Sequence, residues 1–160
     1  MQPIKNHFER YYQRDAWDFC WRIGVESTAV SFVVAILVGL LGAPERELPD
    51  WSTGAMFVFI VILAPVFETL IMQALPIYIA RKLRASFRTQ VISATTVFAL
   101  CHLAEGIAAI IAAGIIGGFY FSFAYAHWRK QSRWQAFWVT AGAHAIHNSI
   151  AFAMMLTVGV

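Results

Sequence analysis

The fold is decided by residues 52–80, which read STGAMFVFIVILAPVFETLIMQALPIYIA. This stretch carries one acidic or basic side chain, Glu68, and exceeds the roughly 18 apolar residues that indicate a transmembrane helix. A straight helix of this length would span about 43 Å at 1.5 Å per residue, against a hydrocarbon core of about 30 Å. Pro65 and Pro76 each remove a backbone hydrogen bond, so we predict a kinked or broken membrane helix.

The rest of the chain has the same character. Of its 160 residues, 59% are hydrophobic and 13% are charged, whereas soluble domains carry about 25% charged residues. Two-residue alternation is absent, so we predict an all-α fold, a polytopic transmembrane helix bundle in a single domain, 1–160. The predicted elements are an N-terminal interfacial helix at 1–22 and about five spans, at 23–42, 52–80, 88–105, 107–127 and 135–158.

The basic residues predict an orientation. Eleven of the twelve Lys and Arg residues fall in 1–22, 81–88 and 127–134, and Arg46, in a predicted turn at 43–51, is the exception. Cytoplasmic loops carry an excess of basic residues, so we predict a cytoplasmic N-terminus and a C-terminus outside. A net charge of +3 distributed in this way indicates a lipid bilayer as the partner and does not indicate nucleic acid.

A few ionisable residues lie deep within the predicted spans. Glu68, His102 and His144 are 12, 14 and 10 residues from the cytoplasmic ends of their segments. At 1.5 Å per residue these depths are about 15–21 Å. A charge at mid-bilayer costs about 2.5–3.5 kcal/mol, so residues of this kind mark functional sites by default. The alternative is a hydrogen-bonded cluster that only holds the helices together.

Three short motifs lie in this layer, and residues four apart share one face of a helix. The motif residues are Pro65 and Glu68, then Phe98 and His102, then His144 and Asn148. The order and spacing resemble the CPBP family of CAAX-protease and bacteriocin-processing intramembrane proteases. This chain departs from the family pattern at Thr69 and Gln73, where the family has a second Glu and an Arg.

The resemblance implies roles for the motif residues. Glu68 would be the general base, His102 would share the water, and His144 and Asn148 would stabilise the oxyanion. Supporting residues would be Thr69, Gln73, Phe98 and His147. A metal variant is also open, because one Glu and two His with an open position form an acceptable zinc site, here Glu68, His102 and His144.

The predicted function is that of an intramembrane endopeptidase acting on a membrane-associated peptide or protein substrate, in a bacterial inner membrane. Two other interpretations stay open. One is a non-catalytic membrane scaffold or immunity-type protein, which the exchange at Thr69 and Gln73 favours. The other is a proton-coupled transporter, against which the absence of internal repeats argues. The sequence indicates neither the substrate nor the oligomeric state.

Overall fold

The computed structural model describes residues 7–42 and 50–158, and every regular element within these ranges is a helix. The long helices are α1 (Ala16–Leu40), α2 (Thr53–Lys82), α3 (Phe87–Cys101), α4 (Ile107–Trp128) and α5 (Arg133–Val158). The predicted all-α fold is thereby confirmed. The first six residues of the predicted interfacial helix, and 43–49 of the predicted turn with Arg46, lie outside the described residues.

Three of the described helices, α1, α2 and α4, are long and apolar enough to cross a membrane. Helix α3 has 15 residues and is therefore about 22 Å long, shorter than the hydrocarbon core. Helix α5 has 26 residues, but His144, His147 and Asn148 lower its hydropathy. The chain is an integral membrane protein, and the count of five spans stays a prediction.

Helix α1 begins seven residues before the predicted first span. Asp15 caps it by accepting hydrogen bonds from the backbone N–H groups of Trp17 and Asp18, at 3.0 and 2.9 Å. The Asp18 carboxylate then pairs with Arg14 and Arg22, one helical turn away on either side. Residues 16–22, whose composition indicates an interfacial segment, therefore form the first turns of α1.

The segment before α1 packs against the bundle through one carboxylate. Glu26 of α1 is bonded by His7, Arg10 and Tyr11, and it accepts a hydrogen bond of 2.8 Å from the Tyr120 hydroxyl of α4. Burial, together with the hydrogen bond to Glu26, raises the pKa of Tyr11 to about 12. The segment is thus tied to α1 and α4 rather than lying free on the surface.

Helix α2 is not broken at its two prolines: it runs from Thr53 to Lys82, and its hydrogen bonding becomes π-helical near each proline. A π-helical turn at Val58–Leu63 ends just before Pro65, and a second at Thr69–Ala74 ends just before Pro76. In the first turn the Ala64 N–H bonds to the carbonyl five residues earlier, so the next bond would run from residue 65 to the Ile60 carbonyl. Proline has no N–H to donate, so the Ile60 carbonyl needs a partner from elsewhere.

Helices α1 and α5 lie close together at Gly24. A Cβ atom built there would lie 2.7 Å from the Ile146 Cγ2 atom and 2.8 Å from the Ala143 carbonyl oxygen. The second of these is backbone and cannot rotate away. The absence of a side chain at Gly24 is therefore what allows α1 to approach α5.

We expect Gly24→Ala to lower the free energy of unfolding by about 1–3 kcal/mol, because the added methyl forces the two helices apart. Thermal unfolding of the purified protein in detergent measures this. Gly39→Ala on the same helix is the matched control, since nothing lies within 4 Å of its Cβ position. Equal melting temperatures for the two variants would contradict the close crossing.

Candidate active site

Helices α2, α3, α4 and α5 enclose a cavity of about 280 Å³. Six of the predicted site residues line it: Glu68, Phe98, His102, His144, His147 and Asn148. They lie on α2, on or directly after α3, and on α5. The structure therefore brings the three motifs together around one space, as a shared site requires.

Glu68 and His144 face each other across this cavity. The Glu68 Oε2 atom lies 3.7 Å from the His144 Nε2 atom, which is longer than a direct hydrogen bond. The Glu68 side chain is 24% exposed, whereas that of His144 is 4% exposed. The imidazole stacks on Phe121 of α4 with ring centroids 4.2 Å apart. The carboxylate is thus the accessible partner, and the imidazole is held by packing.

His102 follows the last residue of α3, and its ring is fixed at two points. The Nδ1 atom lies 2.8 Å from the Phe98 carbonyl oxygen, and the ring stacks on the Phe98 ring at 4.7 Å. A carbonyl oxygen only accepts, so Nδ1 donates and the neutral ring carries its lone pair on Nε2. His102 can therefore accept a hydrogen bond at the atom left for the cavity.

The hydrogen bonding of His144 favours the other tautomer. Its Nδ1 atom is fully buried and has no hydrogen-bond partner within the described part of the chain. A buried nitrogen without its proton is less costly to leave unpaired than a buried N–H group. The proton is therefore on Nε2, the atom that faces Glu68. His102 and His144 thus offer the cavity an acceptor and a donor respectively.

Asn148 supplies the partner that Pro65 withholds from α2. Its Nδ2 atom donates a hydrogen bond of 2.7 Å to the Ile60 carbonyl oxygen. The amide has two N–H bonds, and one is used here. The contact ties α5 to the π-helical turn of α2, about two helical turns before Glu68, and fixes the Asn148 amide at the wall of the cavity.

Thr69 and Gln73 do not line the cavity. Both are fully buried within α2, and the side-chain polar atoms of both lack hydrogen-bond partners in the described residues. Thr69 and Gln73 therefore do not form a hydrogen bond with each other in place of the Glu and Arg that the family has at these positions. These two positions lie behind the site, and any effect on it is indirect.

The predicted zinc ligands are Glu68, His102 and His144, which line one cavity. Within residues 7–42 and 50–158, no group of three or more His, Cys, Asp or Glu side chains is placed to hold a metal ion. Dependence on zinc stays a prediction with its own test.

Three further residues take part in the site. Glu105 lines the cavity, Phe121 stacks on His144, and Ser27 of α1 lies 2.9 Å from the His147 Nδ1 atom. Glu105 has a sequence signal, since it is acidic and three residues after His102. Phe121 and Ser27 have none, because Phe and Ser are common in membrane helices and only the packing selects these two.

Comparison with known proteins bears on the same part of the chain. The family model described as type II CAAX prenyl endopeptidase Rce1-like matches residues 50–150. No curated protein matches the chain, and neither does any solved structure. The matched range contains all three motifs and leaves α1, with Ser27, outside it. The chain therefore belongs to the Rce1-like family, which confirms the resemblance drawn from the motifs.

Proposed function

We propose that this protein is an intramembrane endopeptidase that hydrolyses a peptide bond of a membrane-associated substrate, with water activated by Glu68. One observation carries the proposal: an accessible carboxylate lies 3.7 Å from a buried imidazole in a cavity shared with His102 and Asn148. Membership in a family of CAAX prenyl endopeptidases supports the same class of reaction.

Glu68 and His102 would activate the water. A water molecule between them donates one hydrogen to the Glu68 carboxylate and the other to the His102 Nε2 lone pair, which directs an oxygen lone pair at the substrate carbonyl. Glu68 takes the proton as the carbon–oxygen bond forms. It then returns the proton to the leaving amine as the carbon–nitrogen bond breaks, so the reaction balances without a further acid.

His144 and Asn148 would stabilise the tetrahedral oxyanion. The His144 Nε2–H group and the second Asn148 N–H group are donors with fixed orientations, the first through Phe121 and the second through Ile60. Preorganised donors of this kind contribute about 10²–10³-fold each to turnover. Neither donor needs a charge for this role, since His144 acts as a neutral imidazole and Asn148 as an amide. This suits a cavity within an apolar bundle.

The test is cleavage by the purified protein in liposomes, read by mass spectrometry. The panel contains a prenylated CAAX-type peptide, a leader peptide and a C-terminal membrane-anchor peptide. We expect cleavage of at least one at a single bond. Binding without cleavage of any of them would favour the non-catalytic scaffold or immunity-type protein instead.

We further propose that all five long helices cross the membrane, with the N-terminus in the cytoplasm of a bacterial cell. We expect Lys130→Cys to react with an impermeant maleimide from the cytoplasmic side, and Asp50→Cys from the outside, because the basic loops stay inside. Both are made in a background without Cys20 and Cys101. Labelling of both positions from one side would contradict the topology.

Zinc dependence is tested by metal removal. Because the three candidate ligands do not form a binding group, we expect peptide cleavage to persist after dialysis against 1,10-phenanthroline, with less than stoichiometric zinc by elemental analysis. The non-chelating 1,7 isomer is the control. Loss of cleavage that zinc restores would instead establish Glu68, His102 and His144 as metal ligands.

A further inference from the structure

His147 lies between the site and a second cavity. It lines the cavity that contains Glu68, and also an apolar cavity of about 360 Å³ bordered by α1, α4 and α5. Ala113, Ala151 and Met155 line both spaces as well. His147 is therefore placed to contact a ligand in either space.

The hydroxyl groups of the second cavity are already engaged. The Thr28 hydroxyl donates to the Gly24 carbonyl oxygen at 2.8 Å, and the Ser31 hydroxyl donates to the Ala112 carbonyl oxygen at 2.7 Å. The other residues lining this cavity are apolar, apart from His147. The hydrogens of both hydroxyls are thus used within the protein, and His147 is the polar residue among the four that line both cavities.

Ser27 determines which form of His147 is present. The Ser27 hydroxyl is fully buried, and it donates its hydrogen to the Gly24 carbonyl oxygen at 2.9 Å. With its hydrogen on the Gly24 carbonyl oxygen, the hydroxyl accepts from the His147 Nδ1 atom, which lies 2.9 Å away. The neutral imidazole therefore has its hydrogen on Nδ1 and its lone pair on Nε2.

We propose that His147 binds the substrate, its Nε2 atom accepting a hydrogen bond from one backbone N–H group of the peptide, and that Ser27 is the positioning residue that holds it in this form. This rests on the proposed protease function. Peptide N–H groups are obligatory donors, and one that enters an apolar cavity needs an acceptor. The ligand class is an extended peptide whose side chains are apolar where it passes His147.

Two substitutions of His147, each of which keeps one of its two hydrogen-bonding positions, distinguish substrate binding from packing and from proton transfer. His147→Asn keeps a donor near the Nδ1 position for Ser27 and removes the acceptor at the Nε2 position. His147→Gln places an amide oxygen near the Nε2 position. We expect KM for the cleaved peptide to rise about tenfold in His147→Asn and to stay within about threefold in His147→Gln, with little change in kcat.

Other outcomes overturn the proposal. Unchanged KM in both variants would make His147 a packing residue. A fall in kcat in both, with KM unchanged, would mean that the ring transfers a proton. Peptides N-methylated at one backbone position at a time give a second measurement. We expect one methylated position to weaken binding to wild type and to His147→Gln, but to have no further effect in His147→Asn.

Binding to the Glu68→Gln protein keeps this test independent of cleavage. The prenylated CAAX-type peptide is the probe, and its Kd is compared with and without His147→Asn. If the wild type cleaves nothing but the added substitution still weakens binding about tenfold, the binding role stands and the protease function fails. If the wild type cleaves the peptide but the two Kd values are equal, the protease function stands and the binding role of His147 fails.

The role of Ser27 has a spectroscopic readout. In ¹⁵N-histidine-labelled protein, we expect the His147 nitrogens to report a proton on Nδ1, and Ser27→Ala to shift them toward a mixture of the two tautomers. Ser31→Ala, which removes another buried hydroxyl of α1, is the matched control and should leave the signals unchanged. Identical spectra for wild type and Ser27→Ala would overturn the assignment.

Discussion

Glu68→Gln is expected to reduce turnover of the cleaved peptide by about 10³–10⁴-fold while leaving the protein folded and inserted. The amide has nearly the same shape as the carboxylate but cannot take a proton from water, and loss of a general base costs about 10²–10⁴-fold. Single-turnover cleavage in liposomes measures the effect. Thermal unfolding of the same preparation shows whether the fold is retained.

Glu105→Gln is the matched control for this prediction. Glu105 lines the same cavity, so the substitution changes charge and hydrogen bonding in the same space. We expect its turnover to stay within about tenfold of wild type, because Glu68 rather than Glu105 lies 3.7 Å from the His144 Nε2 atom. The opposite result, with Glu105→Gln inactive and Glu68→Gln active, would assign the base to the turn after α3.

The effect of substitutions at Glu68 also tests the transporter interpretation. A carboxylate that only carries protons can often be replaced by another in the same cavity, whereas a general base must lie at the reacting water. Glu68→Asp keeps the carboxylate but shortens the side chain by one methylene group, so the carboxylate no longer reaches the same position. We therefore treat a loss of cleavage in Glu68→Asp, with retained stability, as support for positioned base catalysis.

Glu68, His102 and His144 could be predicted as cavity residues because burying an ionisable side chain in lipid is costly. Such side chains are therefore rare in an apolar sequence and stand out where they occur. A disturbance of α2 near its prolines could be predicted because proline lacks an N–H group, but the π-helical turns that keep the helix continuous could not. Helix α1 begins at Ala16, seven residues before the predicted first span, because the Asp15 cap starts the helix ahead of the apolar segment.

Other parts of the site could not be read from the sequence. The partner of Asn148 is the Ile60 carbonyl oxygen, and that atom is available because α2 is π-helical before Pro65. No residue type in the sequence indicates that α2 is π-helical at this point, and hence which carbonyl oxygen is left for a side chain. Ser27 is 120 positions from His147, and only the close crossing at Gly24 brings the two together. Tertiary packing, rather than local pattern, selects both contacts.

Asn148→Ala is expected to have two separable effects. It leaves the Ile60 carbonyl oxygen without its side-chain partner, which should lower the free energy of unfolding by about 1–3 kcal/mol. It also removes a proposed oxyanion donor, which should reduce turnover by about 10²–10³-fold. Thermal unfolding in detergent and single-turnover cleavage measure the two effects on one preparation.

Pro65→Ala separates these effects, because it returns an N–H group to the position that faces the Ile60 carbonyl in the π-helical turn. In this background we expect Asn148→Ala to cost less stability, since the carbonyl now has a backbone partner, but to reduce turnover by the same factor. The two single variants and the double variant form a thermodynamic cycle. If turnover recovered together with stability, Asn148 would act only by holding α2, and His144 would remain as the proposed oxyanion donor.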